Sequence, residues 1–314
     1  MRLAVYGYGN LGRGACLAAE ASPDAKLVGI FTRRDPARLS PPKNTPVFAA
    51  DALERYLDRI DVLLLCGGSA TDLPALSPAL AKQVHLVESF DTHARFAAHF
   101  AAVDAAARAG GRLALVGGGW DPGLFSCARI LFDALLPDCR TQTLFGPGVS
   151  QGHSNAAAGV RGLAAARAYT LPAEKIAEDT PPEKLHRRSV FAVPDGSRPQ
   201  DEIAAELLAL SPYFSREDTE VHFISAEEFA AHHGALCHRG CVRTRGRIGK
   251  SGFEASFSLD LESNPTFTGA VLVACARALL RLANRGAVGA ITMADLSPAD
   301  LSPRPREELI KGYL

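Results

Sequence analysis

Short runs of consecutive apolar residues, each broken by glycine or by a polar turn, occupy the first part of the chain. They are Leu3-Ala4-Val5-Tyr6, Lys26 to Phe31, Asp61 to Cys66, Val84 to Val87 and Gly111 to Val116. Unbroken apolar character predicts strands covered on both faces. Gly14 to Ala21, Leu73 to Lys82 and Ala94 to Ala109 read as the helices between them. Strand and helix in alternation predict a doubly wound parallel sheet, which binds ligands at the carboxyl ends of its strands. The polar and glycine-rich turns fall there: Gly67 to Asp72, Ser89 to His93 and Gly117 to Gly123.

The pattern changes after about residue 139. Arg140 to Phe145, Val190 to Val193 and Glu220 to Ile224 read as strands, with a helix over Gln200 to Leu210. Phe253, Ala255, Phe257, Leu259 and Leu261 alternate with Glu254, Ser256, Ser258, Asp260 and Glu262. That period of two predicts a sheet packed on one face and polar on the other. From Phe267 the period becomes helical, with Val271, Cys275, Ala278, Leu279 and Leu282 on one face, until Gly286 and Gly289. Ala290 to Met293 then reads as a last short strand. A lone helix and strand cannot form a core, so this tail is expected to pack on the first domain. The stretches Pro181-Pro182 and Ser297 to Arg306 read as loops.

The first turn carries the first chemistry. Gly7, Gly9 and Gly12 have the G-x-G-x-x-G spacing of a dinucleotide-binding turn, between a strand and a helix. The first glycine serves the turn, the second admits a pyrophosphate and the third lets helix and sheet approach. The helix N-terminus adds N–H groups and a partial positive charge. The second strand ends in Thr32-Arg33-Arg34 where an NAD site usually carries an acid. A hydroxyl and guanidinium groups suit a 2′-phosphate, so the reading is NADP(H) over NAD(H); a solvated basic loop is the alternative. Candidate cofactor contacts are Gly7, Gly9, Asn10, Leu11, Gly12, Thr32, Arg33 and Arg34, with Gly67, Ser69, Ala70, Thr71 and Asp72 after the third apolar run. The expected fold class is α/β: a Rossmann-type doubly wound sheet with an inserted mixed α+β domain, which the resemblance named below implies to serve substrate binding and dimerisation. Residues 1–120 plus 264–314 would form a discontinuous NADP-binding domain and 121–263 the inserted one.

Composition removes other classes. The 314 residues carry 34 Lys plus Arg against 34 Asp plus Glu. Without a basic excess, neither nucleic acid nor a membrane surface is indicated. The chain opens on a strand pattern and no apolar run approaches the ~18–20 residues of a membrane span, so a soluble cytoplasmic protein is expected. Seven scattered cysteines suit reduced thiols. His232, His233, Cys237, His238 and Cys241 lack the spacing of a zinc site, and no metal is expected.

A nicotinamide site must position a substrate carbon, complement its charge and exclude water. Asp91 and Asp121 follow the ends of two expected strands, and their carboxylates suit an ammonium or iminium. Each can equally cap a helix, and Asp121-Pro122 has the form of an N-cap followed by proline. Trp120, the only tryptophan, can wall a pocket or pack in a core. Gln151-Gly152-His153-Ser154 reads as a polar loop, and Arg187-Arg188 precedes a strand where arginine is usually solvated.

Val5 to Arg13, Gly29 to Arg34, Leu64 to Asp72, Gly119 to Ser126, Gly146 to Ser154, Tyr169 to Pro172 and Asn264 to Thr268 together resemble the meso-diaminopimelate dehydrogenases. The resemblance runs from residue 1 to about 295. It implies NADP-dependent, reversible oxidative deamination of the D-centre of meso-2,6-diaminopimelate, giving L-2-amino-6-oxopimelate, which cyclises to tetrahydrodipicolinate, and ammonia. It further implies a place in lysine and peptidoglycan precursor metabolism, and a homodimer. By matching motif, Asp91 and Asp121 would contact the reacting amino group, with Trp120 beside it. Gln151 and Gly152 would hold the adjoining part of the substrate, and Phe145 would wall it. Thr170, Arg188 and His238 would grip the distant carboxylate, and Asn264 the other polar group of the L-centre. A gapped alignment over 179–189 leaves Arg187 as the alternative to Arg188.

Three departures stand out. Phe145 replaces the tryptophan of many members, Cys237-His238-Arg239-Gly240-Cys241 replaces Pro-His-Gly-Gly-His, and Asn155 replaces Asp. Each would loosen selectivity, so a D-amino acid dehydrogenase of relaxed specificity is the second reading. A non-catalytic NADP-binding sensor is the third, disfavoured because a sensor has no need of Asp91, Asp121 and Thr170.

Overall fold

The computed structural model describes residues 1–136, 138–177, 179–211, 213–215 and 218–314. Its contacts divide the chain into two compact units, Met1–Ile130 with Pro265–Leu314, and Leu131–Asn264. The first contains β1 (Arg2–Tyr6), β2 (Lys26–Thr32), β3 (Val47–Ala49), β4 (Val62–Leu65), β5 (His85–Glu88), β6 (Leu113–Leu115) and β14 (Gly289–Ile291). They form one sheet in the order β14-β6-β5-β4-β1-β2-β3, parallel throughout. The order reverses beside β1, which is the switch point where such sheets bind ligands.

Alternating residues of the apolar runs serve two cores. Leu3, Val5, Ile30, Leu64 and Leu115 pack with helix α1 (Asn10–Ala21) and helix α8 (Asn264–Ala283). Ala4, Phe31, Leu63, Leu65 and Leu86 face the opposite core with helix α2 (Leu73–Ala81) and helix α3 (Phe96–Gly110). Covering both faces explains why these strands carry no polar alternation.

By length and composition α8 could cross a bilayer, with a mean hydropathy of 1.5 over its best window, yet half of that window is buried in the protein. Its Arg277, 6% exposed, donates to both oxygens of the Asp24 carboxylate at 2.7 Å. Ser22 Oγ accepts from the same guanidinium at 2.6 Å and the Leu301 carbonyl at 2.7 Å. These partners make α8 a core helix and tie the C-terminal segment to the turn before β2. Hydrogen bonding to Arg277 holds the Asp24 carboxyl at about 2, below its ordinary 3.8. A lowered folded-state pKa contributes stability above the unfolded value, lost as pH falls through the folded one. Asp24→Asn therefore should destabilise the protein by about 3 kcal/mol at pH 7, because it leaves a buried guanidinium without its counter-charge. In urea melts the gap to the native protein should close between about pH 4 and pH 2; a gap independent of pH would refute the pairing as its source.

The second unit holds a mixed sheet, in the order β11-β10-β9-β8, of β8 (Gly148–Val149), β9 (Leu163–Pro172), β10 (His186–Pro194) and β11 (Thr219–Phe223). Helix α5 (Gln151–Ala158) and helix α6 (Gln200–Ala209) contribute Ala157, Ile203 and Leu207 to its core with Ala168 and Val190. A short α7 (Ala226–His232) precedes β12 (His238–Ile248) and β13 (Ser251–Leu261), which form an antiparallel sheet with β7 (Arg140–Phe145). This is the α/β class expected, with mixed and antiparallel sheets inserted.

Three local expectations need correction. Gln151 to Ser154 is the first turn of α5 and not a loop, because Ser150 and the residues after it close helical bonds, Ser154 N donating to the Ser150 carbonyl at 2.9 Å. The apolar face of β13 is packed at one end only: Leu261 is buried and Ala255 and Leu259 are half-buried, whereas Phe253 and Phe257 are 45% and 36% exposed. β13 is an edge strand, so it has a neighbour on one side only. Ser297 to Arg306 contains the short helix α9 (Pro298–Leu301), capped by Ser297, before the terminal α10 (Arg306–Tyr313).

Candidate active site

At the switch point the three glycines have three different surroundings. Gly7 has φ +95°, and a Cβ there would stand 2.8 Å from the Cys66 carbonyl oxygen. A Cβ on Gly12 would overlap the Gly7 carbonyl, whereas one on Gly9 would meet nothing within 4 Å. Turn geometry and helix–strand contact thus account for the outer two. The middle one leaves open space beside the start of α1. Among the described residues no side chain caps α1, and no acid stands in its first turn, which begins with Asn10 and Leu11. Bare N–H groups with room before them fit the phosphates of a dinucleotide.

The end of β2 is organised by short-range bonds. Thr32 is buried, and its hydroxyl accepts from Arg34 N at 3.2 Å. Arg34 reaches the Tyr8 carbonyl. Arg33 pairs with Asp72 at 2.9 Å, and the same Asp72 oxygen accepts from Gly68 N at 2.9 Å. Asp72 therefore ties the turn after β4, which includes Gly67, Ala70 and Thr71, to the arginine loop. Two positioned guanidinium groups and no acidic residue at the strand end suit a 2′-phosphate.

The turn after β4 also reaches the residues after β5. Ser69 Oγ accepts from Asp91 N at 2.9 Å and shares a bond with Thr92 Oγ1 at 3.1 Å. A proposed cofactor residue thereby fixes the backbone of a proposed substrate residue. Beyond β6, Trp120 is 9% exposed and meets Phe125 edge-on at 5.1 Å.

Asp121 does not cap the next helix. Helix α4 (Leu124–Leu135) has its first N–H groups satisfied by backbone, with Leu124 N donating to the Gly119 carbonyl at 3.1 Å and Phe125 N to that of Trp120 at 2.8 Å. The Asp121 carboxylate instead accepts from Arg129, at 2.6 Å from Nη2 and 3.1 Å from Nη1. Sequence reasoning missed Arg129. Its signal is a lone charge in the otherwise apolar turn Ala128-Arg129-Ile130-Leu131.

In the second unit, strand register gathers three of the expected residues. Arg188 lies opposite Thr170 in the β10–β9 ladder, and its guanidinium bonds the Thr170 hydroxyl. On the other side of Thr170 stands Gly148, where a Cβ would press on the His238 ring. Arg187 points to the opposite face, 3.6 Å from Glu220. His238 is 6% exposed, and Nδ1 donates to the Arg239 carbonyl at 2.8 Å. Burial, then the charge of Arg188, hold its pKa below the ordinary imidazole value. A neutral ring that donates through Nδ1 carries its lone pair on Nε2, so it accepts there unless it gains a proton.

Phe145 N donates to His186 Nε2 at 2.8 Å, and the two rings lie 5.4 Å apart. Gln151 and Gly152 open α5, and a Cβ on Gly152 would find only Tyr213, at 3.9 Å. His153 bonds Ser150 Oγ at 2.8 Å and the Tyr213 carbonyl at 3.0 Å, which steadies that turn. Asn264 begins α8, its N–H on the Leu236 carbonyl at 3.0 Å. The His/Cys run is divided: His233 bonds the Tyr169 hydroxyl at 2.8 Å and stacks on Phe191 at 4.2 Å, away from the role of His238.

The candidates thus form two groups. The dinucleotide residues with Asp91, Trp120 and Asp121 belong to the first unit; Phe145, Gln151, Gly152, Thr170, Arg188, His238 and Asn264 belong to the second. Residues 119–263 match the model of the diaminopimelic acid dehydrogenase C-terminal domain. The chain is 42% identical over 323 aligned residues to the meso-diaminopimelate D-dehydrogenase of Lysinibacillus sphaericus, covering 100% of this chain and 99% of that one. Identity to the enzyme of the same name from Corynebacterium glutamicum is 37%, covering 99% and 98%. The solved structure of C. glutamicum DAP dehydrogenase in complex with DAP superimposes with a TM-score of 0.93 at 36% identity, over 100% of this chain and 99% of that one. An engineered D-amino acid dehydrogenase bound to NADP+ gives 0.90 at 35%, with the same coverage.

Proposed function

The chain belongs to the meso-diaminopimelate D-dehydrogenase family, and we propose from that premise which of its residues carry out the NADP-dependent oxidative deamination of meso-2,6-diaminopimelate. The cofactor is NADP, and the open Gly9 before an uncapped α1 is the observation that fits it to this chain. Gly7, Gly9, Asn10, Leu11 and Gly12 receive the pyrophosphate; Thr32, Arg33 and Arg34 receive the 2′-phosphate, with Gly67, Ser69, Ala70, Thr71 and Asp72 completing the first unit's contacts. When bound, NADP+ accepts a hydride from the substrate's D-carbon.

The protein's own task is to select and hold that carbon. Asp91 and Asp121 bind the D-centre ammonium beside Trp120, and Gln151, Gly152 and Phe145 line the neighbouring stretch. Thr170 and Arg188 hold the L-carboxylate, His238 donates to it from Nε2 once it gains a proton, and Asn264 holds the polar group next to it. The ammonium gives up one proton to water, and removal of the hydride from the resulting amine leaves an iminium cation, whose charge the carboxylates complement. Water then adds to that carbon and ammonia leaves, giving L-2-amino-6-oxopimelate. The convergence of Thr170, Arg188 and His238, three residues far apart in the chain, carries this reading, because a lone ammonium site would need no carboxylate anchor.

A soluble biosynthetic enzyme agrees with α8 lying in the core. Working as a homodimer in the cytoplasm follows from the same reading, and the exposed Phe253 and Phe257 on edge strand β13 offer a face for a second copy. The decisive assay compares NADP+ reduction with meso-, LL- and DD-diaminopimelate and with D-alanine. The meso isomer should be oxidised at least about 100-fold more efficiently than D-alanine, since D-alanine forfeits every contact to the L-centre. Equal efficiencies would replace this reading by a relaxed D-amino acid dehydrogenase. No turnover with any D-centre would refute catalysis.

A further inference from the structure

We infer that Arg129 is a positioning residue for the reaction, holding the Asp121 carboxylate in the plane and direction from which it can receive the substrate's D-centre ammonium. The inference rests on the reading that Asp121 binds this group. The Asp121 side chain is only 4% exposed. A charge removed from water needs a counter-charge and hydrogen bonds to offset its lost hydration. Arg129 supplies both in one contact, with Nη2 at 2.6 Å from Oδ1 and Nη1 at 3.1 Å from Oδ2. This two-point fork fixes the plane of the carboxylate as well as its charge, which an ammonium on lysine cannot do.

The clamp is itself braced. Ser126 Oγ accepts from Arg129 Nη2 at 3.1 Å and from Gly123 N at 3.2 Å. Arg129 and Ser126 lie on α4, whereas Asp121 and Gly123 lie in the loop before it, so helix and loop are locked together. Each Asp121 oxygen keeps a lone pair outside the fork with which to accept from a substrate. A merely structural Arg129 would staple the loop to α4 with no bearing on catalysis beyond stability.

A double-mutant cycle separates the two, because residues that act through one another are strongly non-additive. Arg129→Met should lower kcat/KM for meso-diaminopimelate about 100-fold, with the KM for NADP+ within about twofold of the native value. Arg129→Lys, which restores charge without the fork, should recover about tenfold of that loss. With Asp121 already changed to Asn, adding Arg129→Met should cost less than about threefold more. A full further loss in that background, or a single Arg129→Met variant within about threefold of native, overturns the inference. If Arg129→Met fails to bind NADP+, Arg129→Lys in both backgrounds decides by the same criterion of non-additivity. Asp121→Asn with native kcat/KM would instead refute the reading of Asp121 itself, which keeps the two failures distinct.

Discussion

Arg188→Met should raise the KM for meso-diaminopimelate about 100-fold and leave that for NADP+ within about twofold. A charge-assisted hydrogen bond contributes roughly 1.5–3 kcal/mol, and a fork on a carboxylate makes two, partly shared with Thr170 and His238. A loss of about 2.7 kcal/mol corresponds to that hundredfold. Methionine keeps the length and much of the apolar stem, so the β10–β9 pairing should survive. Arg187→Met is the internal control. Its side chain lies on the other face of β10 near Glu220, and its KM should move by less than about threefold. If the two variants exchanged behaviours, the anchor would be Arg187, and the cluster with Thr170 and His238 would have another purpose.

The second large effect separates two glycines three residues apart. Gly9→Ala should leave the thermal midpoint within about 2 °C of native and weaken NADP+ at least about 30-fold. A methyl there meets no protein atom within 4 Å, but it occupies the space through which a pyrophosphate would reach the N–H groups of α1. Gly12→Ala should instead destabilise the fold by about 3 kcal/mol or more, because its Cβ would overlap the Gly7 carbonyl and force α1 away from β1. Thermal melts with and without NADP+ check both. Native cofactor affinity in Gly9→Ala would remove this turn from the binding site. A native melting temperature in Gly12→Ala would show that α1 can shift at little cost.

How far the site could be read from sequence differed between its parts. The cofactor turn was legible because its chemistry is local: three glycines, the strand before them and the helix after them are adjacent in the chain. The arginines after β2 were legible for the same reason, although their tether to Asp72 was not. For Asp121 the sequence left capping and substrate binding open, since an Asp-Pro pair before a helix resembles a cap, and the lone charge of Arg129 in an apolar turn does not by itself say that it folds back onto that carboxylate. The distal group was visible only through family resemblance. Thr170, Arg188 and His238 are ordinary residues in composition, and Arg188 is indistinguishable from Arg187 until strand register assigns each a face.

The sequence by itself determined the parallel sheet and the cofactor. Apolar runs with no polar alternation demand cover on both faces, and glycine spacing expresses constraints on backbone that act within a dozen residues. The tertiary structure alone decided that Arg129 faces Asp121, that Arg188 and not Arg187 meets Thr170, and that burial along the apolar face of β13 falls from Leu261 to Phe253. Those outcomes depend on pairing register and helix packing between segments tens of residues apart. Burial then decides the chemistry, because it sets the Asp121 carboxylate against a guanidinium and holds the His238 pKa below the ordinary imidazole value.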